Sequence, residues 1–172
     1  MNEKQTIEAE TAEAFLHLYN TEKGSSFRIV RYGDSPDIEC EDGNRRKLNL
    51  EITLTEDRQR DIQALVGRSD DRNLDALRKH VKDVRAGRAD PLERVSSLDG
   101  NVACSLTVRL RSKFKKRYGG HTALVIRDSS GLDWDWEIEL PKFRAKFALE
   151  MHPFDEGVWI VNLSKDRLFR LL

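Results

Sequence analysis

Pro36-Asp37-Ile38-Glu39-Cys40, the turn Glu41-Asp42-Gly43-Asn44, and, after Arg45-Arg46-Lys47, the run Leu48-Asn49-Leu50-Glu51-Ile52-Thr53 decide how this chain is read. The spacing predicts two short strands around a turn, with Gly43 as the hairpin signal. Each apolar arm carries a carboxylate, Asp37 in the first and Glu51 in the second. An ionised carboxylate packed into a strand is costly unless a cation or several donors meet it. Two of them on neighbouring strands point to a divalent metal held by oxygen ligands.

Register decides whether the two acids meet. Side chains alternate along a strand, so Glu51 and Thr53 share a face with Asn49. A three-residue loop, Asp42-Gly43-Asn44, sets Asp37 opposite Asn49, with Glu51 one diagonal step away at about 7–8 Å between backbones. A two-residue loop sets Asp37 opposite Leu48 and sends Glu51 to the other face, unless a bulge repairs the register. Each acid also has a plain reading: Pro-Asp opens turns, and Glu51 suits a solvent-facing strand position. The flanking Ile38, Leu48, Leu50 and Ile52 tilt the pair toward a functional role.

Outward from the hairpin, residues 6–20 read as a helix, with Glu8, Ala12, Phe15 and Tyr19 on one face. Lys23-Gly24-Ser25-Ser26 breaks it, and Phe27 to Tyr32 has strand composition. From Glu56 to Asp99 the chain is strongly charged. Leu74, Leu77, Val81 and Val84 form an apolar stripe there, predicting an amphipathic helix that ends near Gly87. Residues 68–73 and 89–100 read as loops. Leu106 to Tyr118 is expected to be a helix ended by Gly119-Gly120, and His121 to Ile126 a buried strand. Gly131 to Leu140 alternates apolar and acidic residues, which favours a strand and leaves a helix open. Pro141 is expected to open a short helix carrying Phe143 and Phe147, and Val158 to Val161 to form a last core strand.

This order, with the acidic hairpin followed by Leu110-x-x-Lys113 and Lys116-x-Tyr118 ahead of Leu124-Val125-Ile126, resembles the core of the PD-(D/E)XK nuclease superfamily, the restriction-endonuclease-like fold. The resemblance covers residues 6–53 and 106–127. It implies an α/β (or α+β) fold, a central mixed sheet flanked by helices, and the length of 172 residues fits a single domain over 1–172. The core would comprise 6–53 and 106–163, with a charged helical insertion at 56–99.

The resemblance also implies a metal-dependent endonuclease that hydrolyses DNA phosphodiester bonds. Asp37 and Glu51 would hold Mg²⁺ or Mn²⁺. Thr53 stands where most members carry lysine, whose charge orients water and offsets developing negative charge. Lys113 or Lys116 would supply the missing cation, with Lys113 preferred because it lies one turn after Leu110. An acid on the first helix often completes the metal site in this family. Glu8 is the candidate because it shares the core face, and Glu10 and Glu13 are its rivals. Arg109, Arg111, Lys115, Lys116 and Arg117, with Lys79 and Lys82, would contact DNA phosphates, although such basic runs are also common as solvated faces. The alternative, favoured by Thr53, is a catalytically inactive relative that binds nucleic acid or a protein partner. Homodimer formation is left open.

Composition narrows the choice. Across 172 residues, 30 basic and 30 acidic side chains cancel, so nucleic-acid binding requires a local patch. No apolar run approaches the roughly 20 residues of a membrane span. The opening Met1-Asn2-Glu3-Lys4-Gln5 lacks an apolar leader segment, so a cytoplasmic protein is expected. Cys40 and Cys104 are solitary and expected to be small buried hydrophobes. The histidines, at 17, 80, 121 and 152, lack metal-site spacing, and no phosphate-cradling glycine motif or nucleophile elbow occurs.

Overall fold

The computed structural model describes residues 3–55, 79, 82–83, 86–88, 94–95, 100–128 and 133–172. Helix α1 spans Glu3–Lys23. Its buried stripe Ala12, Phe15, Leu16 and Tyr19 follows the helical period. Gly24, at φ 61°, ends it in the left-handed region that glycine enters without strain. Asn20 then ties the helix to the chain entering the sheet, its Oδ1 accepting from the Phe27 amide at 2.9 Å and its Nδ2 donating to the Phe27 carbonyl at 2.9 Å.

Three antiparallel strands come next as a meander: β1 (Arg28–Tyr32), β2 (Ile38–Glu41) and β3 (Lys47–Leu54). A short β4 (Arg94–Val95) precedes helix α2 (Gly100–Phe114) and β5 (Thr122–Arg127). Then come β6 (Asp133–Trp134), helix α3 (Trp136–Phe147), β7 (Val158–Asn162) and β8 (Arg167–Arg170). The main sheet has the order β1-β2-β3-β5-β7-β8, with β3, β5 and β7 parallel and the other neighbours antiparallel. β4 and β6 pair in parallel as a separate ribbon. The fold is α/β: a six-stranded mixed sheet with three helices among the described residues.

Alternation sorts the sheet into two cores. Leu48, Leu50 and Ile52 of β3 and Ala123 and Val125 of β5 pack against the α1 stripe. Leu124 and Ile126 of β5, with Val158 and Ile160 of β7, pack against Leu106 and Leu110 of α2 and Leu140, Phe143 and Phe147 of α3. The odd-numbered residues of β3 therefore face α2, and this parity places the site.

Several expectations are corrected. The hairpin loop has five residues, 42–46, and the ladder pairs Ile38 with Leu50 and Glu39 with Asn49. Asp37 does not oppose Asn49. The cause is Asp42, whose carboxylate accepts from the Asn44 amide at 2.8 Å and the Arg46 amide at 2.9 Å and closes a wider turn. Of the stretch expected as a strand over 131–140, the described residues from 133 on form β6 and then, from Trp136, α3. Asp135 caps that helix, accepting from the amides of Glu137 and Ile138. Pro141 lies inside α3 and does not open it. Trp136, Leu140, Phe143 and Phe147 are buried at helical spacing while Ile138 is exposed, so the longer period wins over the alternation. α2 begins at Gly100 and ends at Phe114, before the glycine pair, and residues 94–95 are strand where a loop was expected. Cys104 is exposed, and only Cys40 is buried. The apolar stripe at Leu74, Leu77, Val81 and Val84 lies outside the described residues. At its end Gly87 takes φ 68° and the Arg88 amide donates to the Asp83 carbonyl at 2.7 Å, as at a helix terminus.

Leu50 has no exposed surface and is packed between β2, β5 and α1. Leu50→Ala should lower unfolding free energy by about 2–5 kcal/mol. Val30→Thr, on the exposed face of β1, should change it by less than about 0.5 kcal/mol. Urea unfolding measures both.

Candidate metal and phosphate site

Asp37 arrives from the turn 33–37. The Gly33 amide donates to the Asp37 carbonyl at 2.9 Å, and a Cβ at Gly33 would lie 2.8 Å from the Pro36 oxygen, so this turn needs glycine. The β2–β3 ladder, continued one step past Ile38–Leu50, sets Asp37 across from Glu51. The parity is the one the metal reading requires, although the partner differs by two residues. Asp37 Oδ2 accepts from the Ile52 amide at 2.7 Å, so the carboxylate folds onto the strand that carries Glu51.

Both acids are buried, Asp37 at 5% and Glu51 at 4% exposure. Burial pushes the Asp37 carboxyl up to about 6; the Ile52 amide opposes the rise, the charges of Glu51 and Glu8 add to it, and Lys113 reduces it. Glu51 Oε1 receives the Lys113 ammonium and, at 3.3 Å, the Tyr118 hydroxyl. Burial, with Glu51 beside it, drives the Tyr118 phenol far above its ordinary range, so it stays a proton donor. Glu51 Oε2 is buried with no hydrogen-bond partner. Buried carboxylate oxygens are seldom left unmatched.

Around this pair, Thr53 is half-buried on the same face of β3 as Glu51. Glu8 is buried on α1, near enough to Asp37 to raise its pKa, and pairs with Lys4 at 3.1 Å. Its rivals are exposed: Glu10 pairs with Arg127 at 3.1 Å, and Glu13 lies on the outer face of α1.

The basic run does not act as one surface. Arg109 donates to the Leu54 carbonyl at 2.8 Å, and Arg111 pairs with Glu150 at 2.7 Å. Lys113 turns inward to Glu51, while Lys115, Lys116 and Arg117 stand exposed beyond the helix end. Lys79 and Lys82 are exposed too. Sequence reasoning missed Tyr118 and Lys4 as partners of the acids. Lys4 was visible as the i−4 neighbour of Glu8, whereas Tyr118 reaches Glu51 only because α2 ends early.

Among the described residues, no group of three or more His, Cys, Asp or Glu side chains is arranged to hold a metal ion. The donors present are a carboxylate pair with one unmatched buried oxygen and a shortage of positive charge. That suits a hard cation such as Mg²⁺, which takes one or two carboxylates and keeps several waters. No family model, curated protein or solved structure matches the chain. Among the described residues, no helix is long and apolar enough to cross a membrane.

Asp37 generates a pH dependence. Its folded pKa is raised from an ordinary value near 3.8 to about 6, so the native state holds a proton that the unfolded chain has released. Stability falls as pH rises through this window and levels off above it. Asp37→Asn keeps an acceptor for the Ile52 amide and removes the charge. It should stabilise the fold at pH 8 relative to wild type, by up to about 3 kcal/mol, and change little at pH 4. Urea unfolding at the two pH values checks this.

Proposed function

We propose that this protein is a divalent-metal-dependent nuclease of the PD-(D/E)XK type that hydrolyses DNA phosphodiester bonds. The observation that carries the reading is the delivery of Lys113 from α2 to the buried Glu51 beside Asp37, with the second Glu51 oxygen left unmatched. Asp37 and Glu51 would hold Mg²⁺ or Mn²⁺. When bound, the ion supplies Lewis acidity and lowers the pKa of water.

The chain's own residues divide the remaining work. Lys113 brings to the carboxylates the positive charge that Thr53 lacks, where it offsets negative charge gathering on the phosphate oxygens. The Thr53 hydroxyl, on the Glu51 face, orients water. Tyr118 and Lys113 together fix the Glu51 carboxylate in one orientation, and the Ile52 amide does the same for Asp37. Glu8 adds negative charge beside Asp37, which strengthens the site's attraction for a cation.

A second reading, a catalytically inactive relative that binds nucleic acid or a protein partner, is favoured by the uncharged Thr53 at the lysine position. Plasmid nicking in Mg²⁺ or Mn²⁺, set beside a metal-free binding assay, separates the two. Nicking is expected in wild type and lost in Glu51→Gln. Lys113→Ala should lower the cleavage rate about 10²–10³-fold while DNA affinity changes only a few-fold. Because Lys113 also neutralises Glu51, thermal unfolding is followed alongside, and Lys113→Arg, which keeps the charge, should retain part of the rate. Binding without cleavage in either metal would leave the second reading standing.

A further inference from the structure

Exposed cations without a carboxylate partner occur at several places among the described residues, Arg28, Lys79, Lys82 and Lys146 included, and five of them gather at one end of the sheet. Arg31, Arg46, Arg111 and Arg167 are each held by a carboxylate. Arg45, Lys47, Lys115, Lys116 and Arg117 are exposed and have no such partner. The first two stand at the tip of the β2–β3 hairpin and the other three in the α2–β5 connection, 70 residues away in sequence. The fold brings the groups to the same end of the sheet. β3 and β5 run parallel with Asn49 beside Thr122, the Asn49 amide donates to the His121 carbonyl at 2.7 Å, and its side chain donates to the Gly120 carbonyl at 3.0 Å.

Parity links this end to the carboxylates. Lys47, Asn49 and Glu51 are alternate residues of β3 and lie in one row on the face toward α2. Four residues separate Lys47 from Glu51, about 13 Å along the strand, or about four nucleotide steps at 3.4 Å each. Lys115 follows Lys113, which itself reaches Glu51. The nearest opposing acid is Glu41, which the ladder sets across from Lys47 without an ion pair. Asp42 is taken by Arg46, and Asp155 is turned toward the amides of His121 and Thr122.

We propose that the hairpin tip, through Arg45 and Lys47, forms with Lys115, Lys116 and Arg117 one phosphate-binding track that guides a DNA strand toward Asp37 and Glu51. This rests on the nuclease reading for the identity of the polyanion. It assigns binding to a hairpin tip outside the basic run and removes Arg109 and Arg111 from the contact set.

The test measures binding of a short fluorescent DNA duplex in EDTA, so that cleavage plays no part. With five phosphate contacts, affinity should fall about 500-fold between about 50 and 200 mM salt. In the double variant Arg45→Gln/Lys47→Gln, with two contacts gone, the fall should shrink to about 40-fold. Lys146→Gln, a control on the exposed side of α3, should behave as wild type. Glu41→Gln should tighten binding, because it removes the acid that the ladder sets across from Lys47. Unchanged salt dependence in the double variant overturns the track even if the protein cuts DNA. A reduced salt dependence in the double variant, with no nicking in either metal in the separate plasmid assay, upholds the track while the nuclease reading falls. Binding of anionic lipid vesicles or polyglutamate in preference to DNA, or of no polyanion, overturns it.

Discussion

Glu51 sits in the middle of β3 with almost no exposed surface, and its charge makes the position of α2 a matter of electrostatics as well as packing. Breaking a buried ion pair by removing one partner typically costs about 3–5 kcal/mol. α2 therefore has to approach the sheet in the register that delivers Lys113. Leu106 and Leu110, two apolar residues of α2 without exposed surface, lie seven and three residues before Lys113, on the helix face that reaches the sheet. The apolar stripe and the ion pair thus agree on one orientation. The Tyr118 hydroxyl adds a second donor to the same oxygen, and its ring packs on Phe154 with centroids 4.9 Å apart. Through this contact the acidic strand, the end of α2 and the segment before β7 are coupled.

Much of the fold was legible because its elements obey simple periods. The α1 stripe, the uniformly buried β5 and the acidic hairpin are readable from spacing and composition. The hairpin register was not, because it depends on one side chain: Asp42 gathers the Asn44 and Arg46 amides and lengthens the loop. Two extra loop residues move the pairing by two, which preserves parity, so the placement of Asp37 and Glu51 on one face survives a wrong partner. A shift of one would have turned Glu51 to the other face. Residues 131–140 misled for a different reason. Alternating Trp and acidic residues satisfy the period of a strand, but Trp136, Leu140, Phe143 and Phe147 also satisfy that of a helix. The Asp135 cap and the core between α2 and the sheet decide between them.

The candidate site divides along the same line. The two buried acids could be picked out from an acid placed in each of two apolar strands. What holds them could not, because the partners come from elsewhere in the fold. The Ile52 amide binds Asp37 only because Asp37 stops short of the β2 ladder, and Lys113 meets Glu51 from 62 residues away. A basic run in sequence is likewise not a basic surface in space. Arg109, Arg111 and Lys113 succeed one another at intervals of two along a helix, so they point in different directions and find a carbonyl, Glu150 and Glu51 respectively.

On the proposed reading, charge placement would let a chain with no net charge offer a polyanion an attractive path. Thirty cations and thirty anions cancel over the whole molecule. Three anions, however, are drawn inward: Asp37 and Glu51 in the sheet and Asp42 in the hairpin turn are buried and bound to amides or to cations. A buried carboxylate held by Lys113 contributes little field at the surface, whereas Lys47 and Lys115 stand in water a short way along the same face. Fields from exposed charges fade over a Debye length of about 8 Å at physiological salt. A phosphate at the surface therefore responds to the nearest exposed cations and scarcely to the total. Under the proposed function, withdrawing acids into the sheet would favour a divalent cation there and leave the adjoining exposed cations to a phosphate, so one folding solution would serve both halves of the candidate site.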